Sequence, residues 1–118
     1  MKWMIASLLA LGVLLFTGLC LSPTDVGGIS KYRLTYYGAD FAGNPMYCTE
    51  EAYDPNDATI VATGADGYAC GAQLKVCADT CLILTVQDRC GGCSGQHIDV
   101  SESAWYVLGG EDYGTVEP

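Results

Sequence analysis

The chain has 118 residues, enough for one small domain. Its 14 Asp and Glu outnumber 5 Lys and Arg for a net charge of −9, so the surface repels phosphate backbones and excludes nucleic acid as a natural partner. The same sign disfavours an electrostatic grip on anionic lipid or acidic polysaccharide, and it leaves neutral glycan or a cationic partner.

The first feature in chain order is an apolar run from Trp3 to about Leu19, behind the single charge of Lys2. It predicts a secretory signal peptide or a membrane anchor over residues 1–21, and hence a secreted protein or one tethered to a membrane through residues 1–20. Small residues around Cys20 and Ser22 suit cleavage, although no A-x-A site is present, and Leu19 spoils a lipid-attachment motif at Cys20. Residues 22–31 read as a polar, glycine-containing linker. The body that follows holds Lys31, Arg33, Lys75 and Arg89 against acids that all lie from Asp25 onward.

The body predicts short strands. Tyr32–Gly38, "YRLTYYG", is rich in β-favouring Tyr and Thr. A long Gly, Pro, Asn and Asp-rich loop follows, then a short strand over Thr59–Thr63 and a turn, "GADGYACG". Ala72–Cys77 alternates and Cys81–Asp88 is the most apolar strand. "RCGGCSGQ" reads as a glycine-rich loop and "HIDV" as a short extended piece. The one clear helix is Ser101–Leu108, with Ser101 or Asp99 as N-cap, Asp99 and Glu102 at capping-box spacing, and Gly109 and Gly110 as its stop. Trp105 shares a face with Ala104 and Leu108 and is expected in the core. "YGTVE" gives a last strand. Short strands with one helix, over residues 32–118, predict an all-β domain built as a small closed barrel.

Besides Cys20, six cysteines fall in the body: Cys48, Cys70, Cys77, Cys81, Cys90 and Cys93. An even set behind a leader points to an oxidised, exported domain stapled by disulfides. Two other chemistries compete. Cys77, Cys81, Cys90 and Cys93 offer four thiolates for zinc, but the gap between the pairs is short for a zinc ribbon and export disfavours free thiols. Cys90-Gly-Gly-Cys93 has redox spacing, but no βαβ pattern surrounds it. No metal and no cofactor is expected. Six cysteines allow 15 connectivities. Cys90 and Cys93 can be bridged across a tight turn, and Cys77 and Cys81 flank a hairpin-like turn.

Two acids stand out, Asp88 at a strand end and Asp99 before the helix. Glycan cleavage needs a carboxylic acid for the leaving oxygen and often a second carboxylate. The structural alternative has Asp99 capping the helix and Asp88 accepting backbone N–H bonds in its loop. Thr35, Tyr36 and Tyr37 are candidates for sugar contact, since aromatic faces suit sugar rings. Alternation puts Thr35 and Tyr37 on one side and Tyr36 on the other. His97, the only histidine, lies two residues before Asp99 and can tune it or donate to a sugar hydroxyl.

"TYYG", "ACG" before a strand, "VQDRC" at a strand end and "HIDVSESAW" before the helix occur in that order. The set resembles the double-psi β-barrel of RlpA-like proteins, expansin N-terminal domains and barwin-like proteins, from Tyr32 to Glu117. HIDVS is similar to an expansin signature, and VQDRC is similar to the strand end of RlpA-like lytic transglycosylases. The resemblance implies a six-stranded double-psi β-barrel with one short helix. It implies Asp99 as the functional acid of expansins and Asp88 as that of RlpA-like enzymes, with a threonine and tyrosines lining the groove. It also implies a long-range Cys48–Cys70 bridge, which leaves Cys77–Cys81 and Cys90–Cys93. RlpA-like enzymes usually carry a histidine in the strand matching Thr59–Thr63, where this chain has none. Endoglucanases sharing the barrel place a second acid at the first strand. The nearest acid here is Asp40. The barrel alone is matched, without the second, glycan-binding domain of expansins. The expected function is therefore that of an exported monomer that binds, and loosens without hydrolysis, cell-wall or extracellular polysaccharide. A lytic transglycosylase or small glycosidase using Asp88, and a non-catalytic barwin-like interaction protein, are the alternatives.

Overall fold

The computed structural model describes residues 28–118. The leader over residues 1–21, the tether reading and most of the linker lie outside the described residues. Six strands follow in chain order: β1 (Ser30–Tyr37), β2 (Ile60–Thr63), β3 (Gln73–Cys77), β4 (Cys81–Arg89), β5 (His97–Ser101) and β6 (Tyr113–Glu117). They close into a barrel in the order β1-β5-β2-β4-β3-β6. The β1–β5 and β2–β4 pairs are parallel and the other four are antiparallel.

Period-2 alternation makes the barrel. β3 exposes Gln73 and Lys75 and buries Leu74 and Val76, while β4 buries Leu84 and Val86. With Leu34, Val61, Ile98, Val100 and Val116 these side chains form one aliphatic interior, closed by Ala104 and Leu108 of the helix. β1 begins at Ser30, two residues before the expected start, because Ser30 and Lys31 pair with Val116 and Thr115 of β6. Those two linker residues therefore belong to the barrel.

The helix, α1, spans Glu102–Val107. Its first free N–H groups find three different acceptors: Glu102 N–H donates to the Tyr53 hydroxyl (3.3 Å), Ser103 N–H to the Pro55 carbonyl (2.9 Å) and Ala104 N–H to Ser101 Oγ (3.3 Å). Ser101 is the N-cap. Asp99 does not cap, and the expected capping box is not formed, because Asp99 sits within β5 opposite Thr35 of β1. Trp105 is partly buried and packs against the edge of the aliphatic interior, while Ala104 and Leu108 on the same face are fully buried, and its ring lies 5.3 Å from the ring of Tyr36.

The six cysteines of the body form three bridges, Cys48–Cys70, Cys77–Cys81 and Cys90–Cys93. With every thiol of the body oxidised, the zinc-site reading has no thiolates to stand on. The Cys90–Cys93 turn packs tightly on the end of β2. A Cβ on Gly64 would run into the Cys93 carbonyl, so only glycine fits there.

Candidate functional site

Register aligns the site. Thr35 of β1 faces Asp99 of β5, Asp99 faces Ala62 of β2, and Ala62 faces Asp88 of β4. A single row across four adjacent strands thus reads Thr35, Asp99, Ala62, Asp88. The two acids flank one small residue, so their backbones are two strand spacings apart, about 10 Å. A bulge makes this row. Val61 pairs with Val86, but Ala62 pairs with Asp88, so Gln87 is an extra residue in β4. Without it Gln87 would stand opposite Ala62. No signal in the sequence marked this bulge.

Thr35 bridges two groups. Its Oγ1 donates to Asp99 Oδ1 (3.0 Å) and lies 2.8 Å from His97 Nε2. A hydroxyl has one proton, and with that proton on Asp99 the His97 contact requires an Nε2–H donor. His97 therefore reaches Asp99 through Thr35. Burial pushes the Asp99 carboxyl above its ordinary value. The Thr35 hydrogen bond and the charge of His97 pull it down, and the Asp88 charge adds to the rise.

Asp88 is a hub for its surroundings. Oδ1 accepts from the backbone N–H of Tyr47 (2.8 Å) and of Arg89 (2.9 Å), and Oδ2 accepts from the Tyr37 hydroxyl (3.2 Å). This is the loop-anchoring role weighed above, with a tyrosine added. Burial, then the Asp88 charge, pushes the Tyr37 phenol far above its ordinary value, so it stays a donor.

Tyr37 is buried, and its ring stacks on Tyr53 at 4.0 Å between centroids. Tyr53 in turn donates to the Tyr37 carbonyl (2.6 Å), and its phenol is pushed up to about 12, mainly by burial. Met46, Ile60 and Ala62 complete this second cluster beneath the site. Met46 and Tyr53 lie in the polar loop between β1 and β2, and no periodicity marked them as buried. Phe41, on a 3-10 turn over Ala39–Phe41, is half exposed and meets the Tyr37 ring edge-on at 5.9 Å. It too was missed, since it sits among turn residues.

Tyr37, Phe41, Ala62, Asp88 and Asp99 line one cleft of about 230 Å³. Thr35 and His97 stand behind Asp99. Tyr36 is elsewhere, packed on Trp105 and Tyr106 of the helix, so the trio of β1 is split by alternation. Asp40 is exposed and does not line the cleft. Two carboxylates and an aromatic edge in an open cleft can accept hydrogen bonds from a polyhydroxylated ring and stack against it, while the Tyr37 hydroxyl, its proton on Asp88, offers only lone pairs. Among the described residues, no group of three or more His, Cys, Asp or Glu is placed to hold a metal ion.

No protein-family model matches the sequence. No curated protein matches it. Several solved structures do. The Streptomyces papain inhibitor is 20% identical, over 77% of this chain and 94% of that one, with a TM-score of 0.59. The expansin of Clavibacter michiganensis is 28% identical, with a TM-score of 0.58, over 75% of this chain and 48% of its own, so this chain spans about half of that expansin. A mutant of the same expansin, solved in complex with cellohexaose, matches at 24% identity with a TM-score of 0.56, over 75% of this chain and 48% of that one. The computationally designed protein msDPBB_sym2 is 14% identical, over 76% of this chain and 98% of that one, with a TM-score of 0.52. With six strands closed in this order and these structural neighbours, the chain folds as a double-psi β-barrel of the kind found in expansins and barwin-like proteins.

Proposed function

We propose that the barrel is an exported, expansin-like module that binds cell-wall or extracellular polysaccharide in the acid cleft and loosens it without hydrolysis. The observation that carries this reading is the row Thr35, Asp99, Ala62, Asp88, with Tyr37 and Phe41 beside it. Ala62 leaves room between the acids for a ring, and each acid offers acceptors to sugar hydroxyls. The likeness to an expansin, one structure of which holds cellohexaose, supports a glucan or a related neutral chain. Three bridges suit an oxidising, extracellular setting. A closed barrel without free edges suits a monomer.

Non-hydrolytic action is favoured by the wiring of Asp88. Three donors already occupy its oxygens, so it is built to hold a shape rather than to shuttle protons. The strand Ile60–Thr63 also lacks the histidine of RlpA-like enzymes. One observation favours a glycosidase or lytic transglycosylase instead: the raised Asp99 carboxyl suits a general acid. In that reading Asp99 protonates the leaving oxygen and Asp88 acts across the cleft.

The deciding experiment incubates the purified chain with insoluble cellulose, chitin and peptidoglycan, alongside Asp99→Asn and Asp88→Asn. Bound protein and released sugar are both measured. Binding without release, weakened about tenfold or more in Asp99→Asn, is the expected result. Release abolished by Asp88→Asn, or by Asp99→Asn, would make it an enzyme. Neither binding nor release would overturn both readings and turn the search to a protein partner.

A further inference from the structure

The acid cleft does not end at Asp88. Arg89, Cys90 and Gly91 also line an adjoining hollow of about 450 Å³, closed on its other sides by Tyr47 and Cys93 among others. We propose that this hollow is a second sugar subsite, with Tyr47 as its stacking face. It takes the ring that follows the one held at the acids along a neutral glycan. The proposal rests on the glycan-binding reading above and extends it.

Tyr47 is 70% exposed, the most exposed large apolar side chain among the described residues. A single exposed ring is ordinary on a protein surface, and what sets this one apart is how it is held. Its backbone is held firmly. The Tyr47 N–H donates to Asp88 Oδ1, and the next residue, Cys48, is bridged to Cys70 and donates its N–H to the Gln87 carbonyl at 3.0 Å. An exposed aromatic on a fixed backbone binds with little ordering cost.

Arg89 forms the polar side of the hollow. Its guanidinium carbon lies 5.8 Å from the centroid of the Tyr47 ring. Its Nη1 donates to Thr63 Oγ1 (2.8 Å) and to the Tyr68 carbonyl (2.9 Å), which fixes the plane of the group. The donors of Nε and Nη2 are left, among the described residues, for sugar hydroxyls. The Cys90–Cys93 turn makes the floor, and a Cβ on Gly91 would meet nothing within 4 Å, so the backbone there is open to a ligand. Stacking face, donor fork and open floor are the three things a sugar ring needs.

One carboxylate sets both walls. Tyr47 N–H and Arg89 N–H converge on Asp88 Oδ1, while Asp88 Oδ2 takes the Tyr37 hydroxyl of the first cleft. Asp88 is therefore a positioning residue that holds the two hollows in line.

Calorimetric affinities for cellobiose and cellohexaose, and for the matching N-acetylglucosamine dimer and hexamer, test this. The wild type, Tyr47→Ala, Tyr47→Phe and Asp99→Asn are compared, with thermal melts as folding controls. The wild type is expected to favour the hexamer of one series over its dimer. Tyr47→Ala should erase about tenfold of that preference and leave the dimer unchanged, and Tyr47→Phe, which keeps the ring, should retain it. Asp99→Asn should weaken dimer and hexamer alike. Unchanged length dependence in Tyr47→Ala, with wild-type binding intact, would overturn the subsite and leave the glycan reading standing. Absence of wild-type binding to every sugar would overturn both.

Discussion

Two packed regions hold this molecule together, and they are built of different chemistry. The barrel interior is wholly aliphatic, from Leu34 to Val116, with no polar tip to satisfy. The cluster beneath the cleft is Tyr37, Met46, Tyr53, Ile60 and Ala62, and both of its phenols are hydrogen-bonded. The first region needs only volume and pattern, because apolar burial is non-directional. The second needs geometry, because the Tyr37 hydroxyl reaches Asp88 and the Tyr53 hydroxyl ties β1 to the start of α1. Stability resides mainly in one region. The shape of the site resides in the other.

The sharpest way to break that contrast is to cut each region in turn. Leu84→Ala, at a fully buried interior position, should cost about 2–5 kcal/mol in urea unfolding and leave glycan affinity per folded molecule unchanged. Tyr53→Phe keeps the ring stack but strands the Tyr37 carbonyl and the Glu102 N–H. It should cost about 1–3 kcal/mol and, unlike Leu84→Ala, weaken binding of the folded protein. If both variants bind alike, the division between the regions is wrong.

Two subtler tests sharpen the picture of Asp99. Its folded carboxyl titrates above its unfolded value because it is half-buried. Stability from this group is therefore fully present below the unfolded value, near pH 4, and is lost as pH rises through the raised folded value. Asp99→Asn lacks this loss, so its melting temperature should match the wild type in acid and exceed it increasingly toward neutral pH. Thermal melts across pH check the trend. Thr35→Val, the smallest change, removes the hydrogen bond that lowers the Asp99 carboxyl. That carboxyl should titrate higher still by NMR, with a stability change within about 1 kcal/mol.

The aliphatic region was the legible one. Alternation in "AQLKVC" and "CLILTVQD" marks Leu74, Val76, Leu84 and Val86 directly, and Ser101 with Gly109 and Gly110 brackets the helix. The second region was largely opaque. Met46 and Tyr53 are buried from inside a polar loop, where packing follows tertiary contacts and not a repeat. Asp99 satisfied the local pattern of a cap, yet the strand pairing with Thr35 took it. Asp88 was legible as an acid at a strand end, but the bulge at Gln87 that brings it opposite Ala62 has no local signature. Alternation separated Thr35 and Tyr37 from Tyr36, and that separation holds in the contacts each side makes. Of the bridges, spacing alone spoke for the two short loops, and the long one came only through the resemblance.

The row of the cleft also has a bearing on when in folding the cleft takes shape. Thr35 and Asp99 of the row are 64 residues apart, and Tyr37 and Asp88, bonded beside it, are 51 apart, so the hydrogen bonds that shape the cleft close long loops. Such contacts are entropically late, and topologies dominated by them fold slowly. A chain that has formed only the β3–β4 hairpin already owns part of the aliphatic interior but, of the row, only Asp88 with none of its neighbours. The cleft of the proposed function is complete only when β5 is paired with both β1 and β2, so a chain cleaved before β5 lacks Asp99 and His97, and with Asp99 the link of the row between Thr35 and Ala62.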